Sequence, residues 1–141
     1  MVYFPHRPID LNHFRRIIMA HSIKLSKKKE YIILAIEGDF TGQDMMQYIL
    51  EAHAFGAKKG IQNYLVDVTK ARNIDSVLGN YEFAHSDIPA MPGVNPRAKV
   101  ASLVSPDDHS HDFIETVMVN VGQPIKLCRD LESAEKYLLN K

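Results

Sequence analysis

The chain has 141 residues, of which 45% are hydrophobic and 24% are charged, and its formal net charge is zero. This length and composition predict one globular domain that buries roughly 68–70% of its unfolded surface. The neutral balance, without aromatic side chains interleaved among the cations, argues against a dedicated nucleic-acid-binding protein.

No apolar run approaches the roughly 20 residues that a helix needs to cross a bilayer, and the amino terminus lacks a secretory signal. We therefore expect a cytoplasmic location and no integral membrane segment. Cys128 is the only cysteine, so no internal disulfide can form. Its place at the end of an apolar run favours a buried core thiol over a nucleophile.

Residues 1–20 are predicted to form an arm that precedes a single domain over residues 21–141. Asp10 is placed to cap a short amphipathic helix in this arm, with an apolar face made of Leu11, Phe14 and Ile18. Residues 1–30 hold seven Lys or Arg and two acids, a net charge of +5. Three partners remain open for this basic segment: its own domain, a second copy in a homodimer, or an anionic surface.

The first elements of the domain are a β-hairpin and a helix. Strands at residues 23–25 and 31–36 flank a charged turn, and the second strand is apolar on both faces, which suits a strand covered on both sides. Thr41 is predicted to cap the helix that follows, and Gly60 to end it. His53 falls on the apolar stripe of this helix, where a packed, hydrogen-bonded histidine is favoured over a catalytic one.

The stretch from residue 62 to residue 76 predicts a buried strand at residues 64–68, a polar loop and the first turn of a helix. Such loops place functional groups at the carboxyl edge of a parallel sheet. The candidate site residues at this edge are Asp67, Thr69, Asp75 and Ser76. Either Asp75 or Ser76 is predicted to cap the helix. Its apolar positions are Val77, Tyr81, Ala84 and Ile88.

The second half of the chain continues the alternation of strands and helices. Residues 86–98 contain three prolines and form the longest irregular stretch. Strands are predicted at residues 99–104 and 125–128. Between them, Ser105 as N-cap and Pro106 at the first helical position give the strongest helix start in the chain, and Asp130 is predicted to cap a final helix.

The predicted fold is therefore α/β: a single domain in which an N-terminal hairpin leads into a mainly parallel sheet. We expect about five strands and four or five helices, because strands that alternate with helices pair in parallel.

Motifs for enzymatic chemistry are incomplete in this sequence. Asp67 at a strand end has the place of a phosphatase nucleophile, but Thr69 stands where a second aspartate would act as acid and base. His109 and His111 point to different sides at helical spacing, whereas a metal site needs three or four converging ligands. A Gly-rich phosphate loop and a Gly-x-Ser-x-Gly motif are both absent from the sequence. We expect a non-enzymatic protein that uses no cofactor and no metal.

The order of the predicted elements resembles the STAS domain of anti-sigma-factor antagonists, in the branch called SpoIIAA-like, which is grouped with CRAL-TRIO-type lipid-binding folds. The resemblance covers about residues 21–140. Its most specific parts are the run Leu-Val-Asp-Val at residues 65–68 and the tail from residue 99 through residues 128–138. In that tail, Cys128 and Tyr137 occupy places where similar proteins carry aromatic residues. The resemblance implies an interaction or regulatory module that binds a protein partner at the carboxyl edge of its sheet.

Regulatory members of this family carry an Asp-Ser-Ser-Gly motif that a partner kinase phosphorylates. The matching positions here are Asp75 and Ser76, followed by Val77, Leu78 and Gly79, so the second serine and the adjacent glycine are missing. Two interpretations of Ser76 stay open: it caps the helix only, or it caps the helix and is also a phosphorylated switch.

The same resemblance implies an alternative function, the binding of a small apolar ligand or lipid. In that interpretation the Pro-rich segment 89–96 is a lid over Tyr81, Phe83 and Met91.

Overall fold

The computed structural model describes residues 20–88, 91–95, 97–120, 122 and 124–140. The predicted N-terminal arm lies outside these residues except for Ala20, and so does the homodimer contact expected of it. Nothing in the described part of the chain tests either prediction.

The described residues form five strands and four helices. The strands are β1 (Ala20–Leu25), β2 (Ile32–Phe40), β3 (Asn63–Asn73), β4 (Lys99–Leu103) and β5 (Ile125–Cys128). The helices are α1 (Gly42–Lys59), α2 (Val77–Glu82), α3 (Asp112–Asn120) and α4 (Leu131–Leu139). A π-helical turn, Phe83–Asp87, continues α2.

The strands form one sheet in the order β1-β2-β3-β4-β5. β1 pairs with β2 in the antiparallel sense, and the other three pairs are parallel. This confirms the predicted α/β architecture, with its opening hairpin and mainly parallel sheet. In the described residues no helix is long and apolar enough to cross a membrane.

Both faces of the sheet are covered. Ile32, Leu34 and Ile36 of β2 belong to the larger core cluster, which also contains residues of α1, of the π-helical turn after α2 and of α3. Tyr31 belongs to a second cluster that includes α4, and Ile33 packs against it. The pleat sends alternate β2 side chains to opposite faces, so the run of apolar residues predicted for this strand fills two cores.

Local capping explains where α1 begins and ends. The Thr41 backbone N–H donates to Asp44 Oδ2 at 2.9 Å, and the Asp44 N–H donates to Thr41 Oγ1 at 3.5 Å, which completes a capping box. Gly60 closes the helix in the left-handed region, with φ of 70°. Both ends of this helix agree with the sequence prediction.

β3 is longer than predicted. The polar segment after Val68 is strand, not loop, because it pairs with the end of β2, which also continues past its predicted end: Lys70 lies opposite Glu37, and Asn73 lies opposite Phe40. The register shifts between these strands near residues 67–70, which marks a β-bulge. Backbone pairing therefore decides the conformation of a segment whose side chains resemble those of a loop.

α3 begins at Asp112 and not at Ser105, so the strongest predicted helix start is wrong. The Ser105 hydroxyl donates to the Thr69 carbonyl at 2.7 Å instead of capping a helix. One Arg129 nitrogen, Nη1, donates to the carbonyls of Ser105, Pro106 and Asp108 at 2.9, 3.2 and 3.1 Å. Because these carbonyls serve a distant guanidinium, the segment forms turns before the helix starts.

Candidate functional site

Asp75 joins the starts of two helices at the carboxyl edge of the sheet. Its Oδ2 atom accepts a hydrogen bond from the Gly42 N–H, in the first turn of α1, at 2.7 Å. Its Oδ1 atom accepts from the Ser76 N–H at 2.9 Å. The Asp75 N–H in turn donates to Asn73 Oδ1 at 2.9 Å, which fixes the entry into α2. One carboxylate thus satisfies backbone donors that the helices leave open.

Ser76 is the N-cap of α2, which is one of the two alternatives that the sequence predicted. Its hydroxyl oxygen accepts from the Gly79 N–H at 2.9 Å. Gly79 is needed here by close approach: a Cβ at this position would lie 2.2 Å from Asp75 Oδ1. The helix start and the Asp75 carboxylate therefore fit together only without a side chain at residue 79.

A hydrogen-bonded pair of side-chain amides, Asn73 and Asn80, supports this junction. The Asn73 side-chain amide donates to Asn80 Oδ1 at 2.9 Å, and Asn80 is buried. The Asn73 backbone N–H donates to Ser110 Oγ at 3.2 Å, which links the end of β3 to the loop before α3. These bonds hold the residues of the junction in fixed positions. They also give the buried polar groups the hydrogen-bond partners that such groups need.

The outer surface of α2 is apolar and exposed. We call four residues of α2 and of the segment just before it the α2 stripe: Ile74, Val77, Leu78 and Tyr81. Their exposed fractions are 44, 68, 65 and 48%. Val77, Leu78 and Tyr81 share one face of α2, and Ile74 comes two residues before the N-cap, Ser76. Four large apolar side chains in water on so short a segment are typical of an interaction surface.

This stripe corrects the predicted orientation of α2. Val77 and Tyr81 were expected on the same inward face as Ala84 and Ile88, but only the latter two are buried. The inward face is instead continued by Phe83, which starts the π-helical turn. The wider turn shifts the helix register, so residues before and after it no longer share one face.

Acidic side chains border the α2 stripe. Asp75, Glu82 and Asp87 line one surface depression together with the first residues of α1. In the described part of the chain, no group of three or more His, Cys, Asp or Glu could hold a metal ion. The depression is therefore a negatively charged border of the stripe.

Asp67 and Thr69, the other two predicted site residues, lie apart from this junction. Asp67 Oδ1 accepts from both the backbone N–H and the hydroxyl of Thr69, at 3.0 and 2.7 Å. Asn73 lies six positions after Asp67 in β3, roughly 20 Å along a strand. The Asp67–Thr69 contact stands at the β-bulge, where it satisfies a backbone donor that the irregular pairing leaves open.

His53 is packed and hydrogen-bonded, as predicted. Its Nδ1 accepts from the Asn95 N–H at 3.2 Å, and its ring stacks on Tyr64 with centroids 4.4 Å apart. Burial lowers the pKa of His53, so the neutral form is the one that fits. Burial likewise raises the pKa of the Cys128 thiol, in agreement with its predicted place in the core.

The two other candidate histidines have different environments. His109 is exposed, and its Nδ1 lies 2.8 Å from Asp112 Oδ2. His111 is buried and stacks on Phe40 with centroids 5.7 Å apart. Its Nε2 lies 3.2 Å from Asp108 Oδ2. Burial lowers the pKa of His111, and the Asp108 carboxylate opposes that shift. One ring is exposed and the other is buried, but both residues lie before α3 and not at the helical spacing that the prediction assumed.

A cavity of about 110 Å³ lies in the larger core, between the sheet and α1, α2 and α3. His53, Val94 and Asn95 line it, and so does Phe83. Of the predicted lid contacts, only Phe83 belongs to this lining. Met91 is buried in the larger core, and Tyr81 points outward, where it stacks on His85 with centroids 4.1 Å apart.

Sequence reasoning missed the residues whose role depends on distant partners. Gly42, Asn73 and Asn80 contribute to the junction, but nothing in their local sequence marks them. Arg129 follows a strand and precedes a helix, which is the only local sign that its side chain serves the carboxyl edge. Gly79 gave a stronger indication of its role. A glycine in the first turn destabilises a helix, so its presence there suggests that close packing requires it.

Comparisons with solved structures bear on the fold of the chain. No family model matches the chain, and no curated protein matches it. Among solved structures, an anti-sigma factor antagonist from Mycobacterium paratuberculosis matches 86% of this chain and 94% of its own, with a TM-score of 0.54 and 7% identity. An uncharacterized protein of the DUF3478 family from Shewanella loihica PV-4, which has a SpoIIAA-like fold, matches 85% of this chain and 93% of its own, with a TM-score of 0.48 and 20% identity. The chain therefore shares the fold of that anti-sigma factor antagonist, in agreement with the resemblance of its sequence to STAS domains.

Proposed function

We propose that this protein is a non-enzymatic regulatory module that binds a protein partner at the carboxyl edge of its sheet, through the α2 stripe. The observation that carries the proposal is the exposure of Val77 and Leu78, 68 and 65%. Large apolar side chains kept in water lose the free energy of burial, about 25 cal/mol per Å² of apolar surface. A partner that covers them recovers it.

The border of the stripe indicates the chemistry of the partner. Asp75, Glu82 and Asp87 place carboxylates beside the apolar side chains. A partner with an apolar face flanked by Lys or Arg complements both features, and opposite charges at the rim set the orientation of the complex. The fold of the anti-sigma factor antagonist from Mycobacterium paratuberculosis supports a regulatory role of this kind.

A crosslinking experiment with matched variants tests the proposal. A photoreactive residue at position 81 is expected to capture a partner in extracts of the native organism, and Leu78→Glu to abolish the capture. Leu131→Glu is the control, because Leu131 is 46% exposed on α4, over the opposite face of the sheet. Both substitutions change exposed positions, which typically shift stability by no more than about 0.5 kcal/mol.

The result that contradicts the proposal is equally specific. If Leu78→Glu and Leu131→Glu capture the same partner to the same extent as the unaltered protein, the α2 stripe does not bind it. Melting temperatures of all three proteins show whether a loss comes from unfolding.

The cavity favours a second candidate function, the binding of a small apolar ligand. Its volume, about 110 Å³, is below the roughly 150 Å³ of an apolar cavity that holds benzene. A long acyl chain would need the cavity to enlarge, for which Val94 and Asn95 on its lining would have to move. Native mass spectrometry of the purified protein checks this: a retained lipid-sized mass supports the carrier, and a bare polypeptide mass argues against it.

A further inference from the structure

The amino edge of the sheet, opposite the candidate site, carries a cluster of exposed cations. We call it the lysine edge: Lys24, Lys27, Lys28, Lys29, Lys58, Lys59 and Arg97. The topology brings these residues together. Lys24 lies opposite Ile33 near the start of β2, and the β1–β2 turn follows it. α1 ends just before β3 starts, and Arg97 just precedes Lys99, which lies opposite the first residue of β3.

The carboxyl edge has the opposite charge. Strand ends, the loops after them and helix starts place these acids there: Glu37, Asp39, Asp44, Asp67, Asp75, Asp107, Asp108, Asp112 and Asp130. Two cations at that edge form ion pairs within the fold. Lys70 Nζ lies 3.7 Å from Glu37 Oε1, and Arg129 Nη2 lies 3.3 Å from Asp112 Oδ1. The chain is neutral overall, but its domain has a positive amino edge and a negative carboxyl edge.

The cations of the lysine edge have no such partners. None of the seven forms an ion pair with another residue that the structure describes, although Lys136, farther along this side, pairs with Glu132 at 3.3 Å. Lys59 Nζ lies over the Phe55 ring, 5.6 Å from its centroid. Like charges held together in this way repel one another, and an external anionic surface relieves the repulsion.

The residue types at the lysine edge indicate which kind of anionic surface it binds. Six of the seven cations are lysines, which bind phosphate as point charges and not in the fixed planar geometry of arginine. The two amides nearby are engaged with each other, because Asn95 Nδ2 donates to Gln62 Oε1 at 3.3 Å. The charges span β1 to β4, roughly 14 Å of sheet edge at the usual strand spacing. Apart from Phe55, whose ring lies under Lys59, the described residues of this broad positive edge include no exposed aromatic side chain on which a base could stack. Such an edge fits a membrane better than a polynucleotide.

We propose that the lysine edge docks this protein on an anionic lipid bilayer. The negative carboxyl edge is repelled by the same surface, so the domain is oriented with the α2 stripe facing away from the lipid. The docked protein then presents that stripe to the aqueous phase. The lipid contact does not depend on whether the α2 stripe binds a partner, so each proposal can fail without the other.

Cosedimentation of the full chain with lipid vesicles tests the proposal. We expect binding to phosphatidylcholine vesicles that contain phosphatidylserine, little binding to pure phosphatidylcholine, and a steady loss of binding as salt is added. Each cation near an anionic membrane contributes about fivefold to the partition coefficient, so Lys27→Gln/Lys28→Gln/Lys29→Gln should weaken binding about 100-fold.

Single substitutions supply matched controls. Lys28→Gln should weaken vesicle binding about fivefold. Lys70→Gln removes the same charge from the opposite edge and should leave binding unchanged. Arg15→Gln/Arg16→Gln tests the N-terminal segment, which also carries cations. Circular dichroism melts confirm that each variant is folded.

Three outcomes overturn the proposal. Equal losses for Lys28→Gln and Lys70→Gln would mean that only net charge matters. A loss confined to Arg15→Gln/Arg16→Gln would assign the contact to the N-terminal segment. Competition by a DNA duplex that releases the protein from vesicles, together with tighter binding of that duplex through the same lysines, would make the surface a polynucleotide site.

Discussion

Asp75 Oδ2 lies 2.7 Å from the backbone nitrogen of Gly42, which is 33 residues earlier in the chain, and accepts its hydrogen bond. The contact ties the first turn of α1 to the residue before the N-cap of α2. Because the same carboxylate also accepts from the Ser76 N–H, the two helix starts cannot move independently. The α2 stripe is thereby presented from a fixed base.

Asp75→Ala should lower the free energy of unfolding by about 1–3 kcal/mol, since it removes a charged acceptor from two backbone donors. Urea unfolding at neutral pH measures the change. Asp107→Ala is the matched control, because Asp107 is exposed and makes no hydrogen bond within the described residues. Similar losses for the two variants would contradict the role assigned to Asp75.

Gly79→Ala should also destabilise the protein, although alanine normally favours a helix over glycine by about 0.5–1 kcal/mol. The added Cβ would stand 2.2 Å from Asp75 Oδ1 and displace the carboxylate. In the Asp75→Ala background the clash is gone, so the same change should be neutral or stabilising. Urea unfolding of both single variants and the double variant gives the coupling. Additive effects would show that Gly79 and Asp75 do not constrain each other.

The two interpretations of Ser76 predict different results for Ser76→Asp. Aspartate is as good an N-cap as serine, so this variant should keep its melting temperature, whereas Ser76→Ala should lose about 1 kcal/mol of stability. If Ser76 is also a switch, Ser76→Asp adds a negative charge beside the α2 stripe and should abolish capture of the crosslinked partner. Equal capture by the unaltered protein, Ser76→Ala and Ser76→Asp would leave Ser76 as a cap only.

Stability should fall as the pH drops from about 7 towards 5. Burial lowers the folded-state pKa of His53 and His111, while both titrate near 6.5 in the unfolded chain. The unfolded state therefore binds more protons below pH 6.5, and the contribution of each neutral ring is present above that pH and lost below it. The slope is at most about 1.4 kcal/mol per pH unit for each histidine.

Urea unfolding across this pH range provides the measurement, and His53→Phe should reduce the slope. His85→Phe is a suitable control, because His85 is an exposed histidine. A slope that His53→Phe leaves unchanged would mean that His53 is not what makes stability depend on pH.

Local signals placed much of the fold correctly. The boundaries of α1 and the start of α4 follow from caps within three residues of the helix start, such as Asp130 accepting from the Ser133 N–H at 2.7 Å. β2 was identified because its apolar residues occupy both faces. The polar half of β3 was not identified as strand, because its conformation depends on pairing with β2. The start of α3 was not identified either, because Arg129 binds the backbone carbonyls of the segment before it.

In the candidate site, too, local signals were predicted correctly and long-range contacts were not. Asp75 and Ser76 were identified because cap residues act locally. The orientation of α2 was wrong because two overlapping stripes satisfy a helical period, one containing Val77 and Tyr81 and the other Ala84 and Ile88. Only the packing against the rest of the domain decides between them, and a π-helical turn in the middle of the helix leaves no clear sign in the sequence.

The order of the strands in the sheet is their order in the chain, and this has a consequence for folding. Every strand pairs with the strand synthesised just before it, so the sheet can grow one unit at a time without closing a long loop between distant segments. The face that carries Tyr31 is different. Among the described elements, α4 covers it, and there Tyr31 donates to Glu135 Oε2 at 3.3 Å. During synthesis, that apolar face is exposed to aggregation until α4 has left the ribosome.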